Sequence, residues 1–539
     1  MRSSGLAMMI WGRRTAMGSD ERAEILFPVS AGGRRSTSAA GRAVVAGALA
    51  QVDPAGAEAA RRETDWRTRY PAHLRTLVEA GLASRKAAVT LARDGLAALY
   101  EQMRLVRPDG TETGLDALVS AAARGSLSTV TVTGGGAPEH ELAVPYRGEL
   151  LRGDALLARL QAWVTGGIIE PSCAAAVRAV AAHPEWLALP GRTMVVLGAG
   201  AEVGPLPVLL GWGARVAAVD LPRPGIWERV LQAARRGAGT VLVPVAEDEP
   251  ESASSVAASE LAQRAGVDLT GDMAAVANWL GALDGPLVLG NYVYADGADN
   301  VRVCAAVDAL TVRLQAARPD TALAFLATPT DVFAVPADAV AHSARAYADR
   351  SGMNRMTAGL LHAMSGGRLL HRAYPPDAEP GICDSLITQQ GPNYALAKRA
   401  QRWRATLARE DGAIVSLNVA PPTRTRSVTK NRILAAAYEG AHRFGVEVFE
   451  PETTRTLMAA LLVHDLNTSG LSAGDPNAGA LDAGPGGGDP LPWQDEARSA
   501  AHGGLWRIAY TPRSALSLGV LLGYPAAVSR AGRQRPRHG

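Results

Sequence analysis

The chain has 539 residues and a formal net charge of +3; 47% of its residues are hydrophobic and 20% are charged. This composition excludes extended disorder over most of the chain and allows roughly two to four domains. The small, dispersed net charge argues against nucleic-acid binding. Three cysteines lie far apart without Cys-x-x-Cys spacing, which excludes a disulfide framework and a zinc ribbon, and we expect no metal site.

Membrane and export signals are absent from the sequence pattern. Nowhere do about 18 apolar residues follow one another without a charge. The first apolar stretch is too short for a secretory signal. We therefore expect a cytoplasmic protein without a membrane or nucleic-acid partner. Lysine is rare, since only Lys86, Lys398 and Lys430 accompany 52 arginines, so the place of each lysine is informative.

The first third of the chain lacks chemical motifs. Residues 1–60 are rich in Gly, Ala, Ser and Arg with weak periodicity, which predicts a poorly ordered or loosely helical leader. Residues 61–190 show apolar side chains at three- and four-residue spacing, which predicts an additional, mainly α-helical N-terminal domain.

From Arg192 onward, short apolar runs alternate with helical stretches, which predicts an α/β domain over residues 191–467. Its predicted strands are 193–198, 215–220, 239–245, 286–291, 322–328 and 413–419. Six such strands fit one doubly wound parallel sheet.

Two segments interrupt this regular spacing. Residues 336–390 form a partly helical insertion that could serve as a lid or a subunit contact, and the Gly- and Pro-rich residues 468–492 form a linker or loop. We expect residues 493–539 to pack on the α/β domain, with an apolar segment docking as a strand and a helix.

A glycine-rich turn follows the first predicted strand. Gly198, Gly200 and Gly204 stand where a helix is expected to begin, and Asp220 ends the next strand. Such glycines let a pyrophosphate approach the backbone, and the acid can accept hydrogen bonds from a ribose. The acid favours NAD over NADP, whereas Arg223 weakens that preference. An S-adenosylmethionine site uses a similar turn, so a methyltransferase stays open.

Tyr394 and Lys398 stand four residues apart and so share one face of a predicted helix. An ammonium beside a phenol favours the phenolate and is expected to lower the pKa of Tyr394. Such a pair serves acid–base chemistry. Lysine is chosen here although arginine fills nearly every other basic position, and its compact ammonium can sit beside a phenol and a ribose.

At these residues the sequence resembles the short-chain dehydrogenase/reductase superfamily over about residues 192–465. The segments "LGAGAEVG", "VDLTGDMAAVANWL", "GADNVRVCAAVDAL" and "LAFLATPTDVF" are similar to its glycine-rich turn, adenine-contacting segment, fourth helix and fifth strand. "NVAPPTRT" resembles the loop that closes over the nicotinamide. Ala201 replaces the middle glycine, and Thr328 stands 66 residues before Tyr394, farther than the family usually has.

The resemblance implies a Rossmann-like fold, an NAD or NADP cofactor, a small-molecule substrate and, by analogy, a homo-oligomer. The implied catalytic residues are Tyr394, Lys398, Thr328, Thr330 and Asn300. The implied cofactor contacts are Gly198, Gly200, Glu202, Val203, Gly204, Asp220, Asp268, Leu269, Asn291 and Lys398. The family's serine is replaced by threonine, and Ser385 is a rival for the same role.

The leading hypothesis is therefore an NAD(P)-dependent oxidoreductase that reduces a carbonyl or oxidises an alcohol. Three alternatives stay open: an epimerase or dehydratase that retains its nucleotide, a non-catalytic nucleotide-binding protein, and an S-adenosylmethionine-dependent methyltransferase. The Tyr-x-x-x-Lys pair has no role in a methyltransferase.

Overall fold

A computed structural model describes residues 23–29, 32–123, 125–247, 258–468 and 490–533. Its strands are β1 Glu24–Leu26, β2 Arg104–Val106, β3 Glu112–Gly114, β4 Leu127–Thr133, β5 Val144–Tyr146, β6 Glu149–Leu151, β7 Thr193–Leu197, β8 Arg215–Val219, β9 Thr240–Ala246, β10 Leu287–Asn291, β11 Ala322–Ala327, β12 Val332–Val335, β13 Gly381–Asp384 and β14 Val415–Val419.

The helices that precede β10 are α1 Thr37–Leu49, α2 Pro54–Arg62, α3 Trp66–Gly81, α4 Arg85–Gln102, α5 Asp116–Val119, α6 Gly153–Thr165, α7 Pro171–Ala182, α8 Leu206–Gly211, α9 Pro224–Arg236, α10 Ala258–Arg264 and α11 Leu269–Gly281. The later helices are α12 Ala298–Ala317, α13 Ala337–Ala348, α14 Gly352–Met364, α15 Pro392–Glu410, α16 Arg426–Lys430, α17 Arg432–Ala441, α18 Pro451–Thr468, α19 Pro492–Ala497 and α20 Pro512–Arg533.

The central sheet has seven strands in the order β14-β11-β10-β7-β8-β9-β4. Six of them are parallel, and β4 pairs antiparallel with β9 at one edge. The parallel strands agree with the predicted ones to within two residues because they are near-continuous apolar runs buried on both faces. The prediction of an α/β protein with a mostly parallel sheet is confirmed.

Alternate side chains of each strand face two different apolar clusters. Val195 and Leu197 belong to the cluster that includes α11, α12 and α15. Met194 and Val196 belong to the cluster that includes α7, α8, α9 and α18. The sheet is therefore covered by helices on both faces.

The N-terminal helices pack against this α/β unit. α4 contacts α15 directly, and α1, α3 and α4 contribute to the same apolar cluster as the strand residues Leu323 and Phe325. The leader was expected to be poorly ordered or loosely helical; in the described residues up to 60, α1 and α2 are regular helices with buried side chains such as Val44 and Leu49. Residues 1–22 and 30–31 lie outside the described residues.

A separate, mainly helical N-terminal domain is not shown in the described residues. The segment 61–190 contributes β4 to the central sheet and contains four further short strands. Most of the predicted linker, residues 469–489, lies outside the described residues. The insertion contains α13 and α14 as predicted, and β13 pairs antiparallel with β12.

The residues after the linker pack on the α/β unit through α19, which contacts β12 and β14, and through α20, which packs along α17. Gly440 and Gly519 allow close approach of α17 and α20, because a Cβ on Gly440 would lie 2.0 Å from the Gly519 carbonyl oxygen. The segment before α20 makes only an isolated bridge, Arg372 with Tyr510, where a strand was expected. Within the described ranges, no helix combines the length and apolarity needed to cross a membrane.

Candidate functional site

The predicted site residues follow the carboxyl ends of neighbouring parallel strands. Gly198 follows β7, Asp220 follows β8, Asn291 ends β10 and Thr328 follows β11. Strands β7 and β10 are adjacent although they are distant in sequence. Ligands of open α/β sheets bind in the crevice outside the carboxyl ends at such a change of strand order. The fold thus brings these residues to one edge.

The turn after β7 requires glycine at its first position. Gly198 has φ +83°, and a Cβ there would lie 2.8 Å from the carbonyl oxygen of Tyr292. The expectation that the turn opens directly into a helix is only partly met. α8 begins at Leu206 and has six residues, and Pro205 and Pro207 offer no N–H groups.

Glu202 and Val203 carry backbone N–H groups in this turn, which Pro205 and Pro207 lack. The N–H groups of Gly198, Ala199, Gly200, Ala201 and Gly204 are all engaged within the turn or with its neighbours. Those of Glu202 and Val203 donate to no acceptor among the described residues. They are therefore the backbone donors that an anion at this turn could use.

The carboxylate of Glu202 is held in place by arginine. Its Oε2 accepts a hydrogen bond of 2.8 Å from the N–H of Arg426, and its carbonyl oxygen accepts one of 2.9 Å from Arg455. These contacts join the turn to α16 and α18. Because the acid is paired, its repulsion of an anion at the turn is reduced.

Asp220 is tied to the same turn. Its Oδ2 accepts from the Gly200 N–H at 2.8 Å and its Oδ1 from the Leu221 N–H at 2.7 Å. Burial raises the pKa of Asp220, and these two hydrogen bonds lower it in part. A ribose at this place would share a carboxylate that is already fixed in orientation.

Three predicted residues have structural roles in the fold. Asp268 is the N-cap of α11, and its Oδ1 accepts from the N–H and the hydroxyl of Thr270. The side chain of Leu269 lies in the apolar core. Asn300 is buried, and its Oδ1 accepts from the Ala295 N–H at 3.1 Å, so it positions the loop after β10.

Lys398 is anchored at the inner part of the site. Its Nζ donates to the Leu326 carbonyl oxygen at 3.2 Å and to Gln401 Oε1 at 3.0 Å. Gln401 in turn donates to Asn291 Oδ1 at 3.2 Å. Burial lowers the pKa of Lys398 to about 8. The relay through Gln401 was missed, although Gln401 lies seven residues after Tyr394 and hence on the same helical face.

Tyr394 lies on α15 as predicted, and its ring packs edge-on against Tyr294 at 6.2 Å between centroids. Burial raises the pKa of Tyr394, and the nearby Thr328 hydroxyl offsets part of this effect. The expected lowering of this pKa by Lys398 is not found: burial is the largest influence and raises the pKa, the Thr328 hydroxyl lowers it, and Asp331 raises it. Sequence reasoning also missed Tyr294, whose packing partner is distant in the chain.

The two threonines form a short hydroxyl chain. Thr330 Oγ1 donates to Gln390 Oε1 at 2.7 Å, and the hydroxyls of Thr328 and Thr330 are 2.8 Å apart. The Thr328 hydroxyl therefore donates within this chain. Ser385 has a different role, because its buried hydroxyl contacts the carbonyl oxygens of Pro329 and Asp331 at 2.6 and 2.8 Å. It supports the loop that carries the threonines.

A buried ionic cluster joins that loop to α15. Asp331 accepts from Arg399 at 2.8 Å and from Arg402 at 2.7 Å, and Arg402 also pairs with Glu496 of α19. Burial raises the pKa of Asp331, but the two guanidiniums hold it below its usual range. The cluster fixes the helix that bears Tyr394 relative to the loop that bears Thr328.

Comparisons with known proteins identify no relative of this chain. No family model matches the chain, and neither a curated protein nor a solved structure matches it. The described residues contain no group of three His, Cys, Asp or Glu side chains that could hold a metal ion. Functional assignment therefore depends on the geometry of the site itself.

Proposed function

We propose that this chain is an NAD(P)-dependent oxidoreductase of the short-chain dehydrogenase/reductase type, built on a Rossmann-like fold. The observation that carries the proposal is the convergence of Tyr394, Lys398 and Thr328 at the carboxyl edge of the sheet. Tyr394 lies beside the Thr328 hydroxyl, and the buried amine of Lys398 lies one helical turn further along α15. A phenol next to a second hydroxyl is equipment for proton transfer to a carbonyl oxygen.

The residues present fit a dinucleotide. The free N–H groups of Glu202 and Val203 suit a pyrophosphate, and the oriented carboxylate of Asp220 suits the adenosine ribose and favours NAD. Lys398 and Asn291, which are joined through Gln401, suit the hydroxyls of the second ribose. The bound nucleotide would supply the hydride.

The protein's own side chains would handle the proton and the orientation of the substrate. Tyr394 would donate its phenolic proton to the carbonyl oxygen in reduction and accept it back in oxidation. The Thr328 hydroxyl would turn its proton from Thr330 to that oxygen and so orient it. The raised pKa of Tyr394 keeps its proton in place at neutral pH, which suits it as the acid in the reductive direction.

Calorimetric titration with NADH, NADPH and S-adenosylmethionine tests the cofactor directly. We expect NADH to bind, and to bind more tightly than NADPH because of Asp220. Binding of S-adenosylmethionine without either nicotinamide nucleotide would refute the proposal. Stoichiometric oxidation of NADH with a carbonyl compound would separate a reductase from an epimerase or dehydratase that retains its nucleotide.

Two substitutions with matched controls test the acid–base pair. Tyr394→Phe should lower kcat by a hundredfold or more, whereas Tyr524→Phe, at a half-exposed position of α20, should not. Lys398→Arg should impair turnover because the wider guanidinium cannot keep the contacts to Leu326 and Gln401. Lys86→Arg, at an exposed position, is its control. Full activity of Lys398→Arg would contradict the role given to the lysine.

A further inference from the structure

An apolar cavity of about 70 Å³ opens beside the candidate catalytic side chains. Its walls come from the segment after β13, from α17, from α20 and from the residues just before α20. The aliphatic and aromatic side chains that line it include Leu386, Ile387, Phe444, Val446, Ile508 and Leu516. Its lining is predominantly aliphatic and aromatic, as is usual for sites that bind small molecules.

The cavity reaches the hydroxyl chain of the site. Thr330 lines it, and the Thr330 hydroxyl is 2.8 Å from that of Thr328. Tyr438 lines the cavity as well. Burial raises the pKa of Tyr438, and the nearby Tyr394 raises it further. A carbonyl group placed against Thr328 and Tyr394 would therefore extend its carbon substituents into this cavity.

The cavity offers few polar partners to a charged or hydroxylated ligand, because its polar side chains already have partners in the protein. Arg513 is the charged side chain that lines it, and this arginine pairs with Asp384 at 2.9 Å. The Ser385 hydroxyl is committed to two carbonyl oxygens. A sugar or a carboxylate would lose hydrogen bonds to water here without equivalent replacements.

We propose that the site acts on an uncharged carbonyl compound, or the matching alcohol, whose aliphatic or aromatic body fills this cavity; this rests on the proposed function. In reduction, the carbonyl carbon gains a hydride from NADH or NADPH, and its oxygen gains the proton of Tyr394. The products are the alcohol and the oxidised nucleotide, and Tyr394 regains a proton from water.

A series of unbranched methyl ketones, from butanone through hexan-2-one and octan-2-one to decan-2-one, tests the proposal. Binding is measured by calorimetry on the full chain, and turnover is measured as NADH or NADPH oxidation. Each added CH₂ should raise kcat/KM about fourfold until the cavity is full. Equal kcat/KM along the series, or a preference for pyruvate or glyceraldehyde, would overturn the proposal while leaving hydride transfer intact.

Substitutions in the wall localise the effect. Ala441→Phe should fill the cavity and lower kcat/KM for decan-2-one at least tenfold with little effect on butanone, whereas Leu516→Ala should shift the optimum to longer ketones. Ala363→Phe, at an exposed position of α14, is the control. Unchanged chain-length preference in both wall variants would contradict the proposal.

The calorimetric binding measurements distinguish failure of the proposed apolar cavity from failure of the proposed oxidoreductase function. If decan-2-one binds to the wild type and not to Ala441→Phe, but no ketone or alcohol supports turnover of either nucleotide, the proposed function fails and the cavity stands as an apolar binding site. If no ketone binds with or without nucleotide, the cavity assignment is wrong whatever the nucleotide does.

Discussion

Substitution of Asp331 by Asn tests the ionic cluster that holds the site together. The cluster contains two guanidiniums, Arg399 and Arg402, and two carboxylates, Asp331 and Glu496. The side chains of Asp331, Arg399 and Arg402 are 2, 6 and 4% exposed. Asp331→Asn keeps the size of the side chain but leaves one buried positive charge without a partner.

The expected loss of stability is about 3 to 5 kcal/mol, the usual effect of breaking a buried ion pair from one side. The pair Asp299 with Arg302 is the matched control, because Asp299 is 69% exposed and its nitrogen–oxygen distance is 3.2 Å. Asp299→Asn should therefore change stability by less than about 1 kcal/mol. The double variant Asp331→Asn/Arg399→Met restores the charge balance and should recover part of the loss.

Urea unfolding followed by tryptophan fluorescence gives these free energies. The pKa of Asp331 is lower in the folded state than in the unfolded chain, where it is about 4. The stability that ionised Asp331 contributes is therefore fully present above about pH 4 and is lost as pH falls through the folded-state pKa. Asp331→Asn should lack this component of acid destabilisation. A loss below about 1 kcal/mol, or no recovery in the double variant, would refute the electrostatic account of the cluster.

Three further outcomes are expected. NADH affinity should fall as pH rises through about 8, because Lys398 then loses its charge, and titrations of Lys398→Met should show weak affinity without this step. Gly198→Ala should destabilise the fold by about 1 to 3 kcal/mol, because position 198 has a positive φ and the added Cβ would press on the Tyr292 carbonyl. The control Gly225→Ala, in open space within the first turn of α9, should have no such effect in the same thermal unfolding assay. Ser385→Ala should cost about 1 to 2 kcal/mol in urea unfolding and lower kcat, and an unchanged kcat would show that the threonine loop does not need this support.

The parallel strands and the shared helix of Tyr394 and Lys398 were predictable because their signals are local. A strand buried on both faces, such as β10, is a short apolar run, and the Tyr394–Lys398 spacing places both side chains on one helical face wherever the helix lies. Lysine scarcity added an independent reason to notice Lys398.

The features that were missed depend on partners distant in sequence. The strand β4 reads "LSTVTVT", with polar residues between the apolar ones, and it joins the sheet only through its pairing with β9. α1 shows weak apolar periodicity because it packs through small residues; a Cβ on Gly47 would lie 2.5 Å from that of Ala98. Asp331 and its arginines meet only after the loop and α15 are both in place.

The packing of α4 on α15 also affects how the chain folds during synthesis. α4 ends at Gln102 and α15 begins at Pro392. At common rates of translation, synthesis of α15 therefore begins only about 15 to 60 s after α4 is complete. During that interval the part of α4 around Gly95, against which the Trp403 ring packs in the native protein, lacks this partner, while α1 and α3 already cover other parts of the helix. The nascent chain is thus exposed to aggregation for most of its synthesis, and a fragment restricted to the α/β unit would leave the covered face of α15 open to water.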